Sequence, residues 1–98
     1  MAYIEVTGAG EDEEGFEFRV AVQEADSRSL HQVTLTRRDH EELGGEGESP
    51  EQLVRRCFDW LLEREPKESI LSRFDIQEIS RYFPKFRDEI RRRSQGPP

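Results

Sequence analysis

Hydrophobic and polar residues alternate with a period of two along the first third of the chain. Three such runs predict strands at about residues 3–7, 16–23 and 30–36, and the run FEFRVAVQ at 16–23 is the clearest of them. In each run the apolar side chains share one side of the strand: Ile4 and Val6; Phe16, Phe18, Val20 and Val22; His31, Val33 and Leu35. Because only one side is apolar, we expect a three-stranded antiparallel meander with its other face in water.

After residue 36 the apolar spacing becomes helical, and helix start signals accompany it. Thr36 precedes Asp39 by three residues, and Ser49 is followed by Pro50 and then Gln52, which is the order of a capping box with proline at the first helical position. The spacing and these signals predict helices at about residues 37–43, 50–64, 67–73, 76–83 and 84–93.

Together these elements predict a two-layer α+β fold, in which the meander is followed by three to four short helices packed on one face of the sheet. A chain of 98 residues has room for one domain, which we place at residues 1–94, and we expect residues 95–98 to form a disordered tail. The composition is 33% hydrophobic and 38% charged, which allows a single modest core surrounded by charged loops.

The charge is unevenly divided between the two halves of the chain. Residues 1–50 carry 13 acidic and 4 basic side chains, whereas residues 51–98 carry 9 acidic and 11 basic ones, and the net charge is −7. The single cysteine and the lack of an apolar run of about 18 residues predict a cytoplasmic protein without a membrane span.

The sequence contains few residues that could carry catalysis. Cys57 lies among apolar residues, and the two histidines, His31 and His40, have no spaced cysteine or carboxylate set to complete a metal site. The glycine-rich stretch GAGEDEEG lacks the lysine and helix start of a phosphate-binding loop. We therefore expect that the protein is not an enzyme and that it binds no cofactor, no metal and no small-molecule substrate.

The helix at residues 50–64 is more informative, because its apolar side chains cover an arc of roughly 200°, about twice what one sheet face needs. The surplus either packs against the later helices, which we favour, or meets another chain. Trp60 and Leu62 lie at the two margins of the arc, where an interface would be exposed. A second copy of the chain could also cover this surface.

A polar corner follows this helix at Pro66. The proline is flanked by Arg64, Glu65, Lys67 and Glu68. These side chains either pair with one another at the helix end, which we favour, or form a docking site. The candidate protein interface therefore comprises Trp60, Leu62, Arg64, Glu65, Lys67, Glu68 and, as an outward-facing aromatic, Tyr82.

The C-terminal stretch SRYFPKFRDEIRRR raises the alternative of nucleic-acid binding. Phe83, Phe86 and Ile90 have the spacing of a buried helix face, which argues against exposed stacking aromatics, and the terminal arginines suit a helix C-terminus. The candidate phosphate contacts are Lys85, Arg87, Arg91, Arg92 and Arg93. Because the net charge of −7 repels a polyanion, we consider nucleic acid an unfavoured partner.

A third alternative is an acidic decoy that occupies a basic groove on another protein, as an inhibitor or antitoxin would. Its candidate residues are Glu11, Asp12, Glu13, Glu14, Glu41, Glu42, Glu46 and Glu48. We favour solvated loops for these residues, since blocks of acidic side chains usually repel one another and remain in water.

The helical half also resembles a family of small bacterial proteins of unknown activity, over roughly residues 16–90. The resemblance is carried by Gln52-Leu53-Val54, Phe58, Leu61-Leu62, Arg64-Glu65-Pro66, Ser69-Ile70-Leu71, Phe74, Ile79 and Tyr82-Phe83-Pro84. It implies a pair of N-terminal strands before the helices, and it carries over no activity and no site. The function that we predict is a non-catalytic protein-interaction or regulatory module.

Overall fold

The computed structural model describes residues 2–94, the last two of them by their backbone alone, and it is an α+β fold with a mixed four-stranded sheet. The strands are β1 (Tyr3–Glu11), β2 (Gly15–Glu24), β3 (Ser27–Thr36) and β4 (Arg73–Asp75). They lie in the order β1-β2-β3-β4, with the first three antiparallel and β4 parallel to β3.

Four α-helices and two short 3₁₀ turns complete the described part of the chain. The helices are α1 (Arg37–Leu43), α2 (Pro50–Leu62), α3 (Ile79–Tyr82) and α4 (Phe86–Ser94), and the 3₁₀ turns are Lys67–Ser69 and Ile76–Glu78. The predicted start signals act as expected: the hydroxyl of Thr36 accepts a hydrogen bond from the backbone N–H of Asp39, and Ser49 and Gln52 form a reciprocal capping box.

The strand register places the apolar side chains of the meander on one face. Val6 lies opposite Val20, and Phe18 lies opposite Val33. The helices pack on this face and bury a core that includes Phe58, Trp60 and Phe86, whereas side chains on the opposite face are exposed, such as Tyr3 (66%) and Leu30 (64%). The predicted two-layer arrangement, with one face of the sheet in water, agrees with this register.

The prediction of a pure three-stranded meander is wrong, because a fourth strand adds to the edge of β3. The predicted helix at 67–73 is in fact the 3₁₀ turn Lys67–Ser69 followed by β4. The backbone N–H of Gln32 donates to the carbonyl of Ser72 at 2.8 Å, and Phe74 is buried, so pairing with a distant strand overrides the local helical spacing.

Other boundaries also differ from the predictions. β1 continues through Gly8 to Glu11, so the acidic turn before β2 is confined to Asp12–Glu14. The segment predicted as a helix at 76–83 is a 3₁₀ turn followed by the single helical turn α3, and α4 begins at Phe86, two residues after Pro84. The disordered tail predicted at 95–98 lies outside the described residues.

Candidate functional site

An apolar groove of about 130 Å³ lies between the end of α2, β4 and α3. Four of its lining side chains are buried, namely Leu61, Ile70, Phe74 and Ile79, and Phe83 is partly buried. Two other lining side chains are exposed, Leu71 at 43% and Tyr82 at 66%. The groove therefore combines a buried apolar floor with exposed apolar edges. We call it the α2–α3 groove.

Local sequence chemistry builds the walls of the groove. The backbone N–H groups of Arg64 and Glu65 both donate to the carbonyl of Leu61 at 2.9 Å, which closes the last turn of α2. Pro66 then directs the chain away, since the residue before a proline disfavours helical geometry. On the opposite wall the Asp75 side chain accepts from the N–H of Gln77 and thereby starts the segment that leads into α3.

One wall of the groove is fixed to the sheet by a buried histidine. His31, which is 4% exposed, lies with Nδ1 2.7 Å from the carbonyl oxygen of Leu71, and its Nε2 lies 2.8 Å from the hydroxyl of Ser29. Since a carbonyl can only accept, Nδ1 carries the proton and Nε2 accepts from Ser29. Burial lowers the pKa of His31, and the hydrogen bond to Leu71 only partly opposes that effect. The ring is therefore neutral at pH 7.

The charged residues that line the groove are both acidic, namely Glu65 and Glu78. Glu78 accepts a hydrogen bond from the backbone N–H of Asp75 at 2.8 Å, but among the described residues the Glu65 carboxylate has no hydrogen bond or ion pair. Burial raises the pKa of Glu65 above the ordinary glutamate value of 4.5. The groove thus has an apolar floor and an unneutralised carboxyl group.

The structure corrects the predicted interface at Trp60. The indole is only 1% exposed, because Phe83 and Phe86 pack edge-on against it with ring centroids 5.4 and 5.1 Å away. Its Nε1 donates to Glu89 at 3.1 Å, and the Arg64 guanidinium lies 3.7 Å above the ring. Trp60 therefore belongs to the core. Leu62, at the other margin of the arc, is partly buried against that core.

Some residues of the polar corner at Pro66 form ion pairs within the chain, and one of them lines the groove. Arg64 donates to Glu89 at 2.7 Å. Lys67 is 3% exposed and forms an ion pair with Glu68, which is the pairing alternative predicted for this corner, so Lys67 offers almost no surface for docking. The hydrogen bond from Lys67 lowers the pKa of Glu68. Of the seven predicted interface residues, the structure places Glu65 and Tyr82 in the α2–α3 groove.

The predicted nucleic-acid residues on α4 are not a uniform basic surface. Arg87 donates to Asp39 at 3.1 Å and to Glu42 at 2.5 Å, so its charge is neutralised by α1. Lys85, Arg91 and Arg92 are exposed, and Arg91 also has an interaction within the chain. The side chain of Arg93 lies outside the described residues.

The predicted acidic decoy is likewise partly neutralised within the chain. Arg37 donates to Glu11 at 2.8 Å, and the Asp12 carboxylate accepts from the backbone N–H groups of Glu14 and Gly15. Glu48 pairs with Arg56 at 2.8 Å. Several of the candidate acidic residues therefore have structural partners.

The described residues offer little for covalent or metal chemistry. Burial raises the pKa of the Cys57 thiol to about 12, so the thiolate nucleophile is not available near neutral pH. Residues 2–94 hold no cluster of three histidine, cysteine, aspartate or glutamate side chains arranged to bind a metal ion. Within the same range, no helix is long and apolar enough to cross a membrane.

Comparison of the chain with protein-family models, curated proteins and solved structures gave no match. The resemblance noted from the sequence remains a prediction. Sequence reasoning missed Leu71, Phe74 and Glu78 as neighbours in one groove. The apolar residues at 70, 71 and 74 were a detectable signal, but their helical spacing assigned them to a helix face instead of to a turn and a strand.

Proposed function

We propose that this chain is a small non-catalytic module that binds a partner protein, and that the α2–α3 groove is its contact surface. The observation that carries the proposal is the position of Leu71 and Tyr82, two exposed large apolar side chains at the edge of a concave apolar surface. Exposed apolar surface next to a concavity is typical of binding sites, whereas single exposed apolar residues are common on any protein.

The size of the groove favours one anchoring side chain from the partner. An apolar cavity of about 150 Å³ can hold a benzene ring, so a groove of about 130 Å³ matches one aromatic or branched aliphatic side chain. Interfaces commonly depend on a few such anchors in pockets. A short segment of a partner protein would meet this geometry.

A non-catalytic role agrees with the chemistry of the site. The groove lining offers glutamate carboxyl groups and the hydroxyls of Ser69 and Tyr82, but it contains no histidine, cysteine or lysine to act as a base or nucleophile. We place the module in the cytoplasm, because its single cysteine is a buried free thiol.

The experiment that tests the proposal is affinity purification from the native host with matched variants. Tyr82 and Tyr3 are both 66% exposed, but Tyr82 lines the groove and Tyr3 lies on the open face of the sheet. We expect Tyr82→Ala to reduce the recovery of a stoichiometric partner at least about fivefold, the lower range of an interface anchor, and Tyr3→Ala to leave it unchanged. Equal recovery with both variants would contradict the proposal.

Nucleic acid remains a weaker alternative. The basic residues of α4 give it some support, but Arg87 is already paired with two carboxylates and the net charge is −7. We expect no binding of DNA or RNA tighter than about 10⁻⁵ M near physiological salt, within or below the non-specific range.

A further inference from the structure

We infer that the α2–α3 groove selects a segment in which a large apolar side chain is accompanied by a lysine or arginine, and that Glu65 binds the cation of that basic side chain. The inference rests on the proposed function and specifies the chemistry of the partner. It adds a charge requirement to the apolar one, because an apolar groove without the glutamates would accept apolar segments of any charge.

The basic side chains that lie near Glu65 in the sequence form contacts with other groups of the chain. Arg64 stacks on Trp60 and donates to Glu89. Lys67 is buried and paired with Glu68, and Arg73 donates to Gln32 on the open face of the sheet.

Arg81 lies on α3, one residue before Tyr82, but it does not line the groove. The carboxylate of Glu65 consequently has no counter-charge among the described residues of the chain.

A bound partner would change the surroundings of the Glu65 carboxylate. Burial already raises the pKa of Glu65, and an apolar segment laid over the groove would remove more water from it. A neutral segment would leave a buried charge without a partner, and an acidic segment would add repulsion. A lysine or arginine would instead give a charge-assisted hydrogen bond in a partly desolvated site.

A second glutamate lies in the groove. One carboxylate oxygen of Glu78 accepts the capping hydrogen bond from the Asp75 N–H, and Glu78 belongs to the same lining as Glu65. Two negative groups around one apolar floor, in a chain of net charge −7, disfavour an acidic partner and favour a basic one at long range. The same charge disfavours a second copy of this chain as the occupant.

A displayed random heptapeptide library provides the test. The library is selected against the wild-type chain, Glu65→Gln and Tyr82→Ala, with Tyr3→Ala as the matched control. For the wild type and Tyr3→Ala we expect enrichment of sequences with an aromatic or branched aliphatic residue within three positions of a lysine or arginine. Glu65→Gln, which keeps the shape of the side chain, should retain the apolar preference and lose the basic one.

Synthetic peptides then measure the charge contribution. An enriched lysine peptide is compared with its acetyl-lysine form by fluorescence anisotropy. We expect acetylation to weaken binding to the wild type at least tenfold and to change binding to Glu65→Gln less than threefold. Thermal unfolding of each variant, followed by circular dichroism, verifies that the variants are folded.

The outcomes separate the inference from the proposed function. Apolar enrichment without a basic residue, or an equal effect of acetylation on the wild type and Glu65→Gln, overturns the inference and leaves the proposed function standing. No enrichment at all, or enrichment that survives Tyr82→Ala, overturns both.

Discussion

We expect the loss of the Arg56 guanidinium to lower the free energy of unfolding strongly. From α2 this guanidinium contacts three other segments. Nε and Nη2 donate to the Glu48 carboxylate at 2.8 and 2.9 Å. Nη1 donates to the Ile90 carbonyl at 2.7 Å, and Nη2 donates to the Leu43 carbonyl at 3.0 Å. The side chains of Arg56 and Glu48 are only 19% and 14% exposed. One cation therefore connects α1, the loop after it, α2 and α4.

The variant Arg56→Met keeps the apolar stem and removes only the charged head. The change in its free energy of unfolding therefore measures the contribution of the hydrogen-bonding network. Removing one partner of a fully buried ion pair costs about 3–5 kcal/mol. Since this pair keeps some contact with water, and since two carbonyls lose a charged donor as well, we expect a loss of about 2–4 kcal/mol in the free energy of unfolding. For a domain of this size the melting temperature should fall by at least about 10 °C.

Urea denaturation at pH 7 measures this loss, and Arg38→Met is the control. Arg38 is 85% exposed and pairs with Glu42 at 3.3 Å across one helical turn, an interaction worth only about 0.3–0.5 kcal/mol. A loss below about 1 kcal/mol for Arg56→Met, or one no larger than that of the control, would refute the reasoning. It would mean that water replaces the guanidinium at little cost.

The pH dependence gives a second check on the same network. Burial of Glu48 raises its pKa, but hydrogen bonds from Arg56 and from the Gly45 N–H, together with the charge of Arg56, outweigh this and lower it overall. The folded chain then binds fewer protons than the unfolded one, so the stability from this group is present above the ordinary value of 4.5 and is lost as pH falls below it. In Arg56→Met the loss of stability between about pH 5 and pH 3 should be smaller.

Three further predictions concern the sheet and the core. A Cβ on Gly15 would lie 2.2 Å from the carbonyl oxygen of Leu35, so Gly15→Ala should cost about 1–3 kcal/mol in urea denaturation, whereas Gly8→Ala, with nothing within 4 Å, should change stability by less than about 0.5 kcal/mol. Because burial lowers the pKa of His31, stability should decrease as pH falls from 7 through the ordinary histidine value of 6.5, and His31→Gln should remove that decrease. Cys57 should react with a thiol reagent at pH 8 only as fast as the chain unfolds, and reaction within seconds on the folded chain would contradict its burial.

The parts of the fold that could be predicted from the sequence are those determined by neighbouring residues. Alternation fixes β2, and side chains within three positions of one another form the caps at Thr36 and Ser49. Buried positions on α2, such as Cys57 and Phe58, follow from its helical periodicity. In each case the deciding contacts lie within one helical turn or one strand.

The parts that could not be predicted depend on contacts between distant residues. β4 has three residues, and its register pairs Gln32 with Arg73, which lie far apart in sequence. The cover over Trp60 comes from Phe86 and from the Arg64–Glu89 pair, and both Phe86 and Glu89 belong to α4, more than 20 residues further along the chain. No local pattern encodes either arrangement. Since the groove lining includes Phe74 of β4, the groove could not be located from the sequence.

The apolar arc of α2 is wider than one face of the sheet requires, and later parts of the same chain cover part of the surplus. The sheet covers one part of the arc, α4 covers Trp60, and Leu61 forms part of the groove floor. On the helical side of the molecule the large exposed apolar side chains are Leu71, in the segment between the 3₁₀ turn Lys67–Ser69 and β4, and Tyr82, at the end of the single helical turn α3. Short elements held by few hydrogen bonds open at lower free energy than a core helix, so the partner that we propose would bind there without disturbing the core. The hydrogen bond between His31 and the Leu71 carbonyl holds that wall to the sheet, which would reduce the ordering cost of the proposed binding.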